Sequence, residues 1–263
     1  MSQQFSPIAI VAQSCILPSA LSPNALFHLA KDGYNAISAV PDDRWGIRRS
    51  LMLARHGESV SDRSTTDRGG YVSGFEAIFD FEGFAMPAEL LAGLDPLFLW
   101  LMHCGREALR DACYTGKLSR VGAIVGNLSY PSSLLSRFAE RTWLSKNAAG
   151  AEAILKLGLP AVDARNRFMS GLPAHLMAKA LGLGGISFAL DAACASSLYA
   201  VKLACDALNE GRVDLMLAGA VNRADDLFIH AGFTALAALS PSGQSRPFHA
   251  DADGLVPGEG AAI

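Results

Sequence analysis

Ser187-Phe188-Ala189-Leu190-Asp191-Ala192-Ala193-Cys194-Ala195-Ser196-Ser197-Leu198-Tyr199-Ala200-Val201-Lys202-Leu203 is the stretch on which the reading of this chain turns. Residues 187–190 are short and apolar, as a fully covered strand would be. From Leu198 the apolar positions recur as Leu198, Val201, Cys205 and Leu208, the spacing of one helix face. Cys194 therefore falls at a strand-to-helix junction, with small side chains on both sides that leave room for a reactant. A thiol at a helix start lies near free N–H groups and the positive end of the helix dipole, which favour a thiolate. The pattern fits a nucleophile. The competing reading is a buried structural cysteine behaving as a small hydrophobe.

Outward from this stretch, Val213-Asp214-Leu215-Met216-Leu217-Ala218-Gly219-Ala220 reads as a further strand with a glycine exit, and residues 225–239 as helical apart from Gly232. Upstream, residues 173–181 predict a helix stopped by Gly182 and Gly184-Gly185. Arg120-Val121-Gly122-Ala123-Ile124-Val125-Gly126-Asn127 predicts a second buried strand, and residues 134–143 and 148–157 predict helices. Residues 96–112 form a helical pattern with Leu97, Leu101, Cys104 and Ala108 on one face. Near the start, Pro7-Ile8-Ala9-Ile10-Val11-Ala12 is a compact strand signal. A helix follows with Ser22 as N-cap, Pro23 at its first position and Gly33 as its stop.

Residues 34–70 are irregular and polar, with a short helix expected around 49–55, a solvated surface loop at 61–68 and a short strand at 70–75. So long an insertion points to function or subunit contact. Residues 240–260 are loop-like, and Ala261-Ala262-Ile263 reads as a strand just beginning, where the pattern calls for continuation. Strands alternating with helices predict an α/β architecture: one domain over residues 1–263, with a mainly parallel sheet covered by helices on both faces.

Composition sets the outer limits. A chain of 263 residues that is 51% hydrophobic can bury a sizeable core. A net charge of −3 and a pI near 6.1, with no basic block, give no electrostatic case for nucleic acid. No apolar run reaches membrane-spanning length, and the first residues lack the pattern of a signal peptide. The five cysteines (Cys15, Cys104, Cys113, Cys194, Cys205) are scattered and odd in number, so neither a disulfide framework nor a metal site is indicated. A reducing, cytoplasmic setting is the expectation.

With these residues in view, the chain resembles the N-terminal half of a β-ketoacyl synthase, a thiolase-fold condensing enzyme of the polyketide or polyunsaturated-fatty-acid synthase type. Asp191-Ala192-Ala193-Cys194-Ala195-Ser196-Ser197-Leu198 is similar to the family's nucleophile segment D-T-A-C-S-S-S-L. Pro7 to Val11 with Cys15-Ile16-Leu17-Pro18 resembles the opening strand and loop, Pro41-Asp42-Asp43-Arg44-Trp45 the P-x-x-R-W element, and Ala218-Gly219-Ala220 a strand end. Leu239-Ser240-Pro241-Ser242-Gly243-Gln244-Ser245-Arg246-Pro247-Phe248 resembles L-S-P-x-G-x-x-R-P-F, and Asp253-Gly254-Leu255-Val256-Pro257-Gly258-Glu259-Gly260 resembles D-G-x-x-x-G-E-G. Their order around one cysteine carries the resemblance. The chain departs from the pattern at Ala12-Gln13-Ser14, at Gly185-Ile186-Ser187 and at His249, where the family has Asp after R-P-F.

The resemblance implies that Cys194 takes an acyl group from an acyl carrier protein and that the acyl-enzyme condenses decarboxylatively with a malonyl-type extender. Substrates would arrive as phosphopantetheine thioesters, with no metal and no further cofactor. The Cys194 N–H would form half of an oxyanion hole. Phe233 matches a position beside the acyl pocket; the alternative is an ordinary core phenylalanine. A homodimer through residues 186–190 is implied. The family's two catalytic histidines belong to the other half of the fold, and none of His28, His56, His103, His175, His230 or His249 sits in such a motif, so the chain alone is expected to be incomplete for condensation. Alternatives within the fold are a silent chain-length-factor-like subunit and a priming acyltransferase.

Other candidates read as structural. Asp225-Asp226 fits a helix start better than an acid–base pair. Gly182-Leu183-Gly184-Gly185 precedes a strand and so is no dinucleotide loop. Glu259 and Asp253 fit hydrogen-bonding roles, and Arg44 and Trp45 fit bracing of the long loop.

Overall fold

The computed structural model describes residues 6–42, 44–55, 58–223 and 227–263. In chain order the strands are β1 (Cys15–Ile16), β2 (Ile37–Ala39), β3 (Arg68–Gly70), β4 (Val121–Asn127), β5 (Ser187–Leu190), β6 (Leu215–Asn222) and β7 (Gly260–Ala262). The helices are α1 (Pro23–Lys31), α2 (Arg49–Met52), α3 (Ala88–Leu91), α4 (Pro96–Asp111), α5 (Ser133–Leu144), α6 (Ala148–Lys156), α7 (Leu172–Ala180), α8 (Ser196–Asn209) and α9 (Leu227–Ala235). One five-stranded sheet has the order β1-β7-β6-β4-β5, and β2 pairs with β3 in a separate ribbon.

β4 is the sheet's axis. It is buried along its whole length and pairs in parallel with β5 on one side and β6 on the other. β7 runs antiparallel to β6 and to β1, so the sheet is mixed. α8 packs against β4 and β6, while α4 and α7 pack together beneath. The α/β class and the flanking helices are as the sequence predicts.

α4 shows how the core is built. Asp95 caps it, its Oδ1 accepting from the Leu97 N–H at 3.0 Å, and Pro96 opens the first turn. Phe98, Leu101, Met102 and Cys104 are then fully buried. Burial of this kind contributes about 1.5–3 kcal/mol for each large apolar side chain. At Gly105 the helix meets α7: a Cβ there would stand 2.8 Å from Leu181 Cδ1.

Several expectations are corrected. The strand signal at residues 7–12 pairs with no strand among the described residues, and backbone pairing begins with Ser14 and Ile263, just ahead of β1. β5 is half-buried, because it is an edge strand covered on one flank only. The stripe Leu198, Val201, Cys205, Leu208 is not the packed face of α8: Leu198 is 73% exposed, and the helix buries Ser196, Ala200, Ala204 and Ala207 instead. The reason is distance. Gly126 of β4 lies so close to α8 that an added Cβ would stand 2.7 Å from Ser196 Cβ, and only small side chains fit in that contact. Residues 61–68 are not a wholly solvated loop, since Ser64 and Thr66 are buried and Ser64 Oγ donates to the Thr66 carbonyl at 2.5 Å. The short strand expected at 70–75 ends at Gly70 and gives way to a 3-10 turn at Phe75–Ala77. The helix expected over 225–239 spans Leu227–Ala235, and Asp225 and Asp226 lie outside the described residues, as do Asp43 and His56.

Candidate active site

Leu190 ends β5, and two residues after Asp191 the backbone turns through Ala193 with φ +50°. That left-handed conformation costs a residue with a Cβ on the order of 1–3 kcal/mol and persists only where neighbours enforce it. Here they do. The Ala193 N–H donates to Asp191 Oδ1 at 2.8 Å, and the Ala195 N–H to the Ala192 carbonyl at 3.1 Å. Ser196, the first residue of α8, accepts from the Ala192 N–H at 3.0 Å and donates its hydroxyl to the Ala193 carbonyl at 2.6 Å. One buried hydroxyl thus clamps both residues before the cysteine.

Cys194 sits on the outside of this clamp and is exposed. The other exposed cysteine, Cys113, lies on the turn after α4, while Cys15 and Cys104 are buried. Burial pushes the Cys104 thiol up to about 12. Among the described residues the Cys194 N–H makes no hydrogen bond.

Because β4, β5 and β6 are parallel, their C-terminal ends share one edge of the sheet, where open α/β sheets place their ligands. Cys194 follows β5 at that edge. Tyr130 follows β4, and its ring meets Phe233 of α9 edge-on at 6.4 Å and Phe228 at 6.5 Å. Phe233 is half-buried. The topology therefore brings Cys194 and the Phe233 cluster to the same edge. The sequence motifs assign no role to Ser196, Gly126 or Tyr130: the first two are signalled only by their smallness, and nothing local marks the tyrosine.

The remaining candidates are structural. Arg44 Nη2 meets Glu259 Oε1 at 3.0 Å, the Glu259 side chain is fully buried, and the same oxygen accepts from the Val72 N–H at 2.7 Å. Trp45 packs edge-on against His230, ring centres 5.2 Å apart. Asp253 accepts from Ser240 Oγ at 2.7 Å and from the Ser242 N–H at 3.2 Å, which holds its carboxyl below the usual range. Gly185 carries the backbone against β4, where a Cβ would stand 2.6 Å from the Val121 carbonyl oxygen. Of the described histidines, His230 and His103 are buried, and His249 Nδ1 accepts from the Asp251 N–H at 3.1 Å. Among the described residues no cluster of three or more His, Cys, Asp or Glu could hold a metal, and no helix is long and apolar enough to cross a membrane.

Comparison with known families places this geometry. Residues 5–263 match the family model described as β-ketoacyl synthase, N-terminal domain. The chain belongs to the β-ketoacyl synthase family. A phenolphthiocerol/phthiocerol polyketide synthase from Mycobacterium tuberculosis (strain CDC 1551 / Oshkosh) is 33% identical to this ketosynthase-family chain over 261 residues, 98% of the chain and 13% of that protein. A PKS-NRPS hybrid synthetase from Aspergillus candidus is 31% identical over 257 residues, 97% of the chain and 10% of that protein. Among solved structures, the PfaC keto synthase–chain length factor superposes with a TM-score of 0.86 at 34% identity, covering 97% of the chain and 28% of that structure. A mutant form of the ketosynthase from module 6 of the bacillaene synthase of Bacillus subtilis 168 shares the fold, with a TM-score of 0.73 at 24% identity over 97% of the chain. The chain thus spans less than a third of the length of each of the first three proteins and 39% of the bacillaene ketosynthase.

Proposed function

We propose that this chain is the cysteine-bearing part, residues 1–263, of a cytoplasmic, homodimeric condensing enzyme that works on acyl carrier protein thioesters. The Cys194 thiolate attacks the carbonyl carbon of a carrier-bound acyl thioester; the phosphopantetheine thiol leaves, and the acyl group stays on the cysteine. The Cys194 N–H, without a hydrogen-bond partner among the described residues, donates to the oxyanion that forms. A malonyl-type extender then loses CO2, its enolate carbon attacks the acyl-cysteine carbonyl, and the thiolate is expelled as the new carbon–carbon bond forms. Enolate stabilisation requires donors of the kind the family supplies from histidines in its other half. The acyl chain lies along the aromatic cluster that includes Phe233. The open edge of β5, around residues 186–190, pairs with its copy in the dimer.

The observation that carries this reading is the exposed Cys194 on the left-handed turn at Ala193, at the carboxyl ends of the parallel strands. A strained strand-to-helix turn is a recurrent way of presenting a nucleophile. The test is intact-mass analysis of the 263-residue chain after incubation with an acyl-loaded acyl carrier protein. The expected adduct is one acyl group on Cys194, absent in Cys194→Ala, with no condensation product. No adduct would point to a silent subunit. An adduct from a complete protein without CO2 release from malonyl carrier protein would point to priming. Condensation by the 263 residues alone would refute the division of labour proposed here.

A further inference from the structure

The aromatic cluster at the carboxyl edge of the sheet is built from two chain segments. Tyr130 follows β4, while Phe228 and Phe233 stand on α9, which follows β6; the tyrosine ring lies 6.5 and 6.4 Å from theirs. Contacts near the outer limit of aromatic packing leave play between the rings. The β4–β6 ladder ends at Asn127 and Val221, so its backbone hydrogen bonds do not reach these side chains. Something else must hold the two segments.

On the face of the sheet that packs on α4 and α7 there is a belt of buried polar groups. Asn127, 2% exposed, donates from Nδ2 to the carbonyls of Met169 and Ser170 at 2.5 and 2.9 Å. Ser132, buried just past Tyr130, rests its Oγ 3.9 Å from Met169 Sδ. The chain is thus held on both sides of Tyr130. Asn166, fully buried in the 3-10 turn Ala164–Arg167, carries the belt onward. Its Oδ1 accepts from the Asp95 N–H at 2.7 Å, and its Nδ2 donates to the Gly93 carbonyl at 2.9 Å. Asp95 Oδ1, besides capping α4, meets Arg223 Nη1 at 3.2 Å. Arg223 directly follows β6, is 8% exposed and lies over the Trp100 ring, 5.2 Å from its centre.

A buried ion pair adds little net stability over apolar side chains of the same volume, whereas each of its hydrogen bonds has a set length and direction. A series of such bonds holds two strand exits at one separation, which apolar contacts do poorly. We infer that Asn166, Asp95 and Arg223 are positioning residues that set the spacing of Tyr130 from Phe228 and Phe233, and through it the length of acyl chain that the site takes. The second half rests on the proposed reading of the Phe233 cluster as the acyl wall. The first half does not.

The test pairs two measurements on the 263-residue chain. In NOE spectra with labelled tyrosine and phenylalanine rings, cross-peaks between Tyr130 and Phe233 should be lost in Arg223→Met and in Asn166→Leu, which break the belt at separate links, and kept in Arg223→Lys. The ratio of Cys194 acylation rates with hexadecanoyl and hexanoyl carrier protein should change ~5-fold or more in the two broken variants, and stay near that of the unaltered chain in Arg223→Lys. Leu101→Ala, a cavity in the core of α4 outside the belt, should lower the melting temperature and move neither readout. Cross-peaks kept in both broken variants, an unmoved ratio, or equal changes in Leu101→Ala would each overturn the proposal. An unaltered chain that takes no acyl group would overturn the reading of Cys194 and with it the chain-length half, while the cross-peaks still decide the spacing. If Arg223→Met does not fold, Asp95→Asn, which keeps the cap on α4 and removes only the charge, takes its place.

Discussion

Ser196 stands directly over Gly126: the serine Cβ occupies the space 2.7 Å from where a side chain on the glycine would begin. This contact sets the height of α8 above β4, and with it the turn that carries Cys194. The clamp from the Ser196 hydroxyl to Ala192 and Ala193 works only while that height is kept.

Gly126→Ala should therefore lift the start of α8. Overpacking of this kind costs about 1–3 kcal/mol. The expected outcome is a lower melting temperature together with a several-fold change in the rate of iodoacetamide alkylation at Cys194. Measured in a Cys113→Ala background, a change in melting temperature with an unaltered alkylation rate would show that the contact supports the fold but not the cysteine.

Ser196→Ala removes both hydrogen bonds of the clamp and leaves the Ala192 N–H without its acceptor. At about 0.5–1.5 kcal/mol for each bond, the chain should lose ~1–3 kcal/mol of stability in urea denaturation. Acyl transfer to Cys194 should slow, and Ser196→Thr should recover part of it, because the hydroxyl returns with only one extra methyl.

The Arg44–Glu259 pair joins two motifs 215 residues apart in sequence. Glu259→Ala leaves the guanidinium facing a buried gap and takes the acceptor from the Val72 N–H. Breaking a buried pair from one side costs about 3–5 kcal/mol, so this variant is expected to be strongly destabilised. Glu259→Gln, which keeps the hydrogen-bonding shape, should lose less. Denaturation midpoints of the two variants check the order.

Burial holds the His230 imidazole below its ordinary value of 6.5, against the smaller opposing pull of the Arg68 carbonyl and Asp67. Tyr71 Oη lies 3.2 Å from its Nε2, and Trp45 covers its ring. The folded state thus prefers the neutral ring, while the unfolded chain protonates near 6.5. Stability is fully present above that pH and falls as the pH drops towards the lower folded value, by at most ~1.4 kcal/mol per pH unit for each such group. His103, also depressed mainly by burial, adds a slope of the same sign. Melting temperature should decline between pH 7 and pH 5, and His230→Gln should flatten the decline; an unchanged slope would remove His230 from the account.

Alkylation should also sort the cysteines by environment. Cys194 and Cys113 are expected to react with iodoacetamide at neutral pH, and Cys15 and Cys104 only after unfolding, since burial raises both thiols and takes that of Cys104 to about 12. Peptide mapping before and after urea checks this.

The sequence by itself determined the α/β class, a central buried strand read at residues 120–127, the N-cap Ser22 with Pro23 at the first position of α1, and the position of Cys194 between a strand and a helix. These are local or periodic signals: a cap needs only the residues beside it, and a buried strand only its own apolar run. Tertiary structure alone decided what those elements do to one another. Periodicity named the larger apolar stripe as the packed face of α8, yet the close approach of Gly126 admits only serine and alanine, so the small side chains went inward and Leu198 and Val201 outward. Residues 7–12 carry a strand's composition, but a strand exists only with a partner, and among the described residues they pair with none. The left-handed turn at Ala193 could not be read from an alanine, because it is imposed by Asp191, by Ser196 and by the height of a helix set from 70 residues away in sequence.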